Sequence, residues 1–303
     1  MIGPSQGGQQ HCGLIAIVGR ANVGKSTLLN AILGQKLSIT SRKPQTTRYR
    51  LLGVHTMADT QLVFVDTPGW QRKPRNQLNR LMNRQVRQAL GDVDLAVMLC
   101  DARGWQADDE LVATMLEESG VPSVLALNKH DLVRDKRRLL PVIDAIAKAH
   151  PGFAEFFPLC ARSSKGVDAL LAYLAAHMPA REHLFAADQL TDRSERFLCG
   201  EIIREKTMRY LGDELPYRTS VILDEFVDED QLTRITATVW VDRDSQKSIV
   251  IGKSGALMKK IASDARRDIE ELIGRKVFLT CWVKTKRGWA DSAEALHSIG
   301  LDE

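Results

Sequence analysis

Two rhythms of apolar and polar positions divide the chain. In the first, short apolar runs alternate with segments of helical period. Runs at 14–18, 61–65, 95–100, 121–127 and 156–159 read as buried strands, and 27–33, 76–90, 108–119 and 167–177 as helices. Residues 49–55 read as a further strand, joined to 61–65 by a polar turn at 56–60. This alternation predicts a doubly wound, mostly parallel α/β sheet with one antiparallel hairpin strand. Residues 179–190 break the pattern and read as a linker. A second rhythm follows: helix 194–210, capped by Asp192 or Ser194, strands 218–226 and 232–241, helices 245–251 and 256–273, and strand 277–286. In the middle strand Ile235, Ala237, Val239 and Val241 alternate with Thr236, Thr238 and Trp240, as one buried face requires. The expected division is an N-terminal arm at 1–12, a nucleotide domain at 13–179, a linker at 180–193, an α+β domain at 194–290 and a C-terminal tail at 291–303.

The chemistry sits where strands end. After the first strand, Gly19, Arg20, Ala21, Asn22, Val23, Gly24, Lys25 and Ser26 complete G-x-x-x-x-G-K-S, and Thr27 opens the helix. In that setting backbone N–H groups cradle phosphates, Lys25 reaches the β- and γ-phosphates, and the Ser26 hydroxyl holds Mg²⁺. The polar loop 42–50 carries Thr46 and Thr47, either of which can offer a hydroxyl to the metal. The third strand ends in Asp66-Thr67-Pro68-Gly69. There Asp66 faces the ligand crevice and can hold Mg²⁺ through water, and the Gly69 N–H can approach a γ-phosphate. Trp70 stands where Ras-type GTPases place a water-orienting glutamine, and an indole cannot do that work. Asn128-Lys129-His130-Asp131 ends the fifth strand. A carboxylate at Asp131 would accept from N1 and N2 of guanine, which adenine cannot match. Backbone in the loop at Cys160, Ala161 and Arg162 could support guanine O6.

Between the two C-terminal helices lies Gly252-Lys253-Ser254-Gly255. A G-x-x-G turn so placed is the backbone clamp of KH domains, which hold about four nucleotides of single strand. Lys259 and Lys260 follow it, and Lys284 and Lys286 on the last strand could extend the groove.

At 303 residues the chain suits two domains, and its net charge of +4 decides little. The distribution says more: 247–287 holds eleven Lys or Arg against four Asp or Glu. That favours nucleic acid over a plain solvated face. Five scattered cysteines without a C-x-x-C pair argue for reduced thiols and against zinc or a disulfide frame. With no apolar run of membrane length and no basic-then-apolar leader, the expected compartment is the cytoplasm.

These motifs together resemble the Era family, bacterial GTPases with a C-terminal type II KH domain. The resemblance covers 13 to about 290 and rests on GRANVGKS, SRKPQTTR, DTPGW, NKHD, LTDRSERF, EIIREK and GKSG. It implies GTP/GDP cycling with Mg²⁺, Thr47 as the switch threonine on the metal, and Asn22 supporting a K⁺ ion. It also implies binding of the 3′ end of 16S rRNA, assistance to 30S subunit maturation, and peripheral contact with the inner membrane. A monomer that does not bind DNA is expected. Ala21 stands where the family usually has Pro, Cys160 where it has Ser, and Ala290 where Arg is common; Phe185-Ala186-Ala187-Asp188 replaces a Tyr-Pro before an acidic pair. Two other readings compete: an ATP-dependent kinase, against which Asn128–Asp131 argues, and a signalling adaptor that holds GTP without turnover.

Overall fold

The computed structural model describes residues 9–41, 43, 45–212 and 215–301. The described chain forms two compact units. The first comprises Met1–Ser38, Thr47–Lys73 and Met82–Asp192, and the second Ile39–Thr46, Pro74–Leu81 and Arg193–Glu303. Of the expected N-terminal arm, residues 1–8 lie outside the described residues, as do Arg42 and Pro44 of the polar loop.

In the first unit the strands are β1 (His11–Val18), β2 (Leu51–Met57), β3 (Thr60–Asp66), β4 (Leu95–Asp101), β5 (Ser123–Asn128) and β6 (Phe153–Pro158). They form one sheet in the order β2-β3-β1-β4-β5-β6. Only β2 is antiparallel to its neighbour. The helices are α1 (Lys25–Leu33), α2 (Gln77–Gly91, of which Met82 onward belongs to this unit), α3 (Ala107–Ser119), α4 (Leu139–Ala149) and α5 (Val167–Ala176). β1 lies between β3 and β4, so the strand order reverses there and a crevice opens at the carboxyl ends. β4 and β5 are buried along their whole length, which is why they appear in sequence as unbroken apolar runs.

The sequence reading overlooked α4. Its stretch LLPVIDAIAKA carries Pro141, which reads as a breaker, but Pro141 sits in the first turn, where its missing N–H costs nothing. The expected linker is also not free. Ala180 bridges His11, Thr191 bridges Gly53, the Val54 N–H donates to Leu190 O at 2.9 Å, and Gln61 Nε2 donates to Phe185 O at 2.9 Å. Residues through Asp192 are therefore stitched to the first unit's sheet.

His150, after α4, hydrogen-bonds Glu117 at 2.8 Å and Glu110 at 3.2 Å. Burial opposes its charge, but the two carboxylates outweigh burial and raise its pKa above the ordinary 6.5. The resulting stabilisation is full below the unfolded value and is lost as pH rises through the folded one. Both carboxylates are about half exposed, so it amounts to about 1 kcal/mol or less. We expect the melting temperature of wild type, relative to His150→Gln, to fall by about 2–4 °C between pH 6 and 8. A constant difference across that range counts against this account.

The second unit contains α6 (Glu195–Tyr210), β7 (Thr219–Glu229), β8 (Leu232–Val241), α7 (Asp244–Ile251), α8 (Ala256–Ile273), β9 (Lys276–Thr285) and α9 (Ala293–Ser298). β7 and β8 pair antiparallel, and β8 and β9 parallel. The Ser194 hydroxyl, not Asp192, caps α6, accepting from the Phe197 N–H at 3.3 Å. Cys199, Ile202 and Ile203 of α6 and Ala265 and Ile269 of α8 pack on Ile235, Ala237 and Val277, the alternating positions read in sequence. Part of the expected tail is ordered: Ser292 caps α9, and Leu296 and Leu301 are buried.

Candidate nucleotide site and G-x-x-G turn

The phosphate loop runs from the end of β1 into α1. Gly24 adopts φ 109°, closed to ordinary side chains, and a Cβ there would lie 2.3 Å from Asn128 Nδ2. Asn22 also has positive φ, and its carbonyl accepts from Lys129 Nζ at 2.6 Å. Lys25 is only 6% exposed, and its ammonium donates to Gly19 O at 2.9 Å and Arg20 O at 3.1 Å. Burial lowers its pKa to about 8, with Asp66 opposing the shift. A buried cation held by two carbonyls of its own loop is poised to exchange them for phosphate oxygens. Gly69 packs on this loop so closely that a Cβ would come within 2.9 Å of Ala21 Cα.

Beside Lys25, hydroxyls and a carboxylate converge. Ser26 Oγ donates to Asp66 Oδ2 at 2.9 Å and lies 2.7 Å from Thr47 Oγ1. Ser38 Oγ donates to the same Asp66 oxygen at 2.8 Å. Asp66 Oδ1 is buried without a hydrogen-bond partner. Burial raises the Asp66 pKa against the pull of Lys25 and the two serines. An orphaned carboxylate oxygen beside two hydroxyls is a hard-oxygen donor set that fits Mg²⁺. Ser38 opens the segment 38–48 expected to order around GTP, but nothing in the sequence marks its hydroxyl as a partner of Asp66. Thr67, expected at the nucleotide, instead donates its hydroxyl to Ile17 O at 2.8 Å and is fully buried; with buried Pro68 it fixes the turn after β3.

The third part of the site forms around Asn128. Its Nδ2 donates to Val23 O at 2.7 Å, and its Oδ1 accepts from the N–H groups of Lys129 at 2.8 Å and Ala161 at 2.9 Å. One side chain thus ties the phosphate loop to the loop after β6. Lys129 sits in the left-handed region at φ 63°, a conformation held by its bonds to Asn22 O and, at 3.0 Å, Asp101 Oδ2. Asp101 also takes a bidentate contact from Arg103. Although burial opposes it, these cations hold Asp101 well below the usual carboxylate range. Asp101 was not read as a site residue, yet its place at the carboxyl end of β4 marks it. The exposed Asp131 carboxylate hydrogen-bonds the Cys160 thiol, which keeps its pKa below normal. His130 is buried, and Arg162 is exposed.

Two phosphate-loop neighbours face elsewhere. Arg20 Nε donates to Asp109 at 3.0 Å. Trp70 pairs as an isolated bridge with Arg20, packs against the core, and carries the Arg87 guanidinium 5.4 Å over its ring. Packing is thus the role visible for Trp70.

In the second unit, Gly252 (φ 75°) and Gly255 (φ 79°) bracket a tight turn between α7 and α8. A Cβ at Gly252 would meet Leu257 Cβ at 2.6 Å, whereas one at Gly255 meets nothing within 4 Å. Lys253, Ser254 and Lys259 are exposed at the turn. Lys260 turns to the Tyr210 ring, 4.8 Å from its centroid, and Lys286 to Trp240, at 4.0 Å. Lys284 is exposed on β9. Among the described residues no helix is long and apolar enough to cross a membrane.

A phosphate loop that meets Asn128–Asp131 in one unit and a G-x-x-G turn in the other are the marks of a GTPase joined to a KH domain. Family comparison agrees: residues 14–129 match the family described as 50S ribosome-binding GTPase, and 214–290 match the KH domain. GTPase Era of Vibrio parahaemolyticus is 49% identical over 293 residues, covering 96% of this chain and 91% of the relative. GTPase Era of Pseudomonas entomophila is 47% identical, covering 96% and 97%. A crystal structure of Era with MgGDPNP and nucleotides 1506–1542 of 16S ribosomal RNA matches at TM-score 0.94 and 36% identity, covering 97% of this chain and all of that one. A point variant of Aquifex aeolicus Era bound to GDP·AlF4⁻ matches equally well, with TM-score 0.94. The chain belongs to the Era family of GTPases.

Proposed function

We propose that this GTPase is a Mg²⁺-dependent switch that binds the 3′ end of 16S rRNA through Gly252–Gly255 and assists maturation of the 30S subunit, working in the cytoplasm as a monomer. The convergence of Ser26, Thr47 and the orphaned Asp66 carboxylate beside Lys25 is the observation that carries the switch. Ser26 and Thr47 would hold the metal directly, with Asp66 behind them. When bound, Mg²⁺ neutralises charge on the β- and γ-phosphates. Lys25 adds a fixed cation, the Gly69 N–H meets the γ-phosphate, and Asn22 would support K⁺. Asp131 reads the guanine, and backbone of the loop at Cys160, Ala161 and Arg162 supports O6. The RNA reading draws on the relative's complex with 16S rRNA and on the open Gly255 turn.

Residues 180–192 are bound to the first unit's sheet and are no free hinge. We place the coupling in Ile39–Thr46, whose flanking residues Ser38 and Thr47 belong to the metal cluster. Within the second unit, the Thr40 N–H donates to the buried Glu205 carboxylate at 2.9 Å, Arg204 donates to Thr46 O, and Arg209 donates to Thr40 O at 3.3 Å. All three partners lie on α6. Glu205→Ala is expected to leave basal GTP turnover within about threefold and abolish its response to RNA, because it removes a buried hydrogen-bonded acceptor of this segment. An unchanged response to RNA would sink this route.

The decisive experiment measures GTP turnover with Mg²⁺ and K⁺, with and without single-stranded RNA matching the 16S 3′ end. Gly255→Asp is the clamp variant: nothing crowds that position, but its φ of 79° strains any side chain, so its melting temperature is measured alongside. Stimulation by RNA that Gly255→Asp loses supports the reading. Turnover indifferent to RNA, with equal RNA binding by the variant, overturns it.

Lys25 gives a pH test. Its folded pKa of about 8 means that the free protein loses this cation as pH rises through 8. Affinity for GTP is therefore expected to weaken between about pH 7.5 and 9, by up to about tenfold per pH unit. Lys25→Met should bind weakly with little slope. A flat wild-type profile would contradict the assignment.

A further inference from the structure

The second unit's sheet has one face covered by α6 and α8 and another that no described helix of the unit covers. On that open face Phe278 is 55% and Trp282 57% exposed. Register places Phe278 beside Arg234, Trp282 beside Thr238, and Lys284 beside Trp240. The Arg234 guanidinium lies 5.6 Å over the Phe278 ring, and the Lys286 ammonium 4.0 Å over Trp240. Large rings left exposed together mark an interaction surface.

Charge runs across the sheet. Between 276 and 290 there is no Asp or Glu. On the opposite side, β7 supplies Asp224, Glu225 and Glu229; Asp224 accepts from the Thr238 hydroxyl at 2.6 Å, Glu225 from the Thr236 hydroxyl at 3.0 Å, and Glu229 from Arg234 Nε at 2.9 Å, which leaves Lys284 and Lys286 as the cations on the β9 side. The cationic, aromatic part of the face is thus the β8–β9 half.

We propose that Trp240, Phe278 and Trp282, with Arg234, Lys284 and Lys286, form a stacking platform for unpaired RNA bases, a second contact for a strand that leaves the Gly252–Gly255 clamp. Outward positions along β9 recur every two residues, about 6.6 Å apart, so 278 and 282 offer two separate stacking sites with Thr280 between them. Base stacking on exposed rings needs no particular sequence, and sheets with surface aromatics use it elsewhere for two or three bases. The lysines would pair with phosphates. This inference rests on the RNA reading above, but it assigns different residues and a different chemistry.

The test uses the full chain and two RNA probes from the 16S 3′ end: a tetranucleotide that the clamp alone can hold, and a strand of roughly twelve nucleotides. Binding is followed by anisotropy and by quenching of tryptophan fluorescence. Phe278→Ala with Trp282→Ala should bind the tetranucleotide like wild type and the longer strand at least about tenfold more weakly, with less quenching. Trp282→Phe, which keeps a ring, should stay within about threefold. Gly255→Asp should weaken both probes. If the double variant binds the longer strand like wild type while Gly255→Asp loses both, the platform is overturned and the clamp stands. If the double variant weakens the longer strand and Gly255→Asp changes nothing, the platform stands and the clamp falls. Two further results would overturn the platform: capture by anionic vesicles, or dimerisation, that needs Trp282 while RNA binding does not. Absence of RNA binding by wild type overturns both readings.

Discussion

Asp131→Asn is expected to abolish the preference for GTP over ATP, a loss of about 10⁴ in the ratio of kcat/KM values. The carboxylate, exposed and ionised at physiological pH, can accept from both the N1 and N2 hydrogens of guanine. The amide loses one acceptor and gains a donor. Xanthosine triphosphate, which carries a C2 carbonyl in place of the amine, should therefore improve as GTP worsens. The measurement is steady-state turnover with the three nucleotides. A GTP/ATP ratio unchanged by the substitution would mean that Asp131 does not read the base.

The second large effect is expected from Gly24→Ala. A single methyl at φ 109° would sit 2.3 Å from Asn128 Nδ2. Asn128 cannot give way cheaply, since it bonds Val23 O, the Lys129 N–H and the Ala161 N–H together. Relief must come from the phosphate loop. Local strain of about 1–3 kcal/mol should lower the melting temperature by several degrees. GTP affinity should fall at least a hundredfold, because three elements of the site lose their common anchor. Isothermal titration with GTP separates the outcomes. Near-normal affinity would show that the anchor is dispensable.

Much of this architecture was legible in sequence because β3, β4 and β5 of the first unit are buried on both sides and the second unit's strands on one. Continuous apolar runs such as β4 and strict alternation such as β8 are the two patterns that result. Legibility failed where one residue carried two meanings. Pro141 reads as a breaker but occupies a first turn, so α4 went unseen. β6 starts at Phe153 rather than 156, and its register against β5 shifts between Ser123 and Leu125, which blurs the period. The motif residues were found, but the partners that hold them were not. Ser38 on Asp66 and Asp101 on Lys129 act through contacts 28 residues distant in each case, which no local spacing reveals. Thr67 shows the converse, a residue inside a motif whose hydroxyl serves the backbone.

The contact between Thr40 and Glu205 also has a consequence in time. The two residues are 165 positions apart. At about 5–20 residues per second of synthesis, Thr40 is incorporated roughly 8–33 s before Glu205. Through that interval Ile39–Thr46 has no α6 to hold it, so the segment gains these bonds only after the whole of the first unit, which ends at Asp192, has been made.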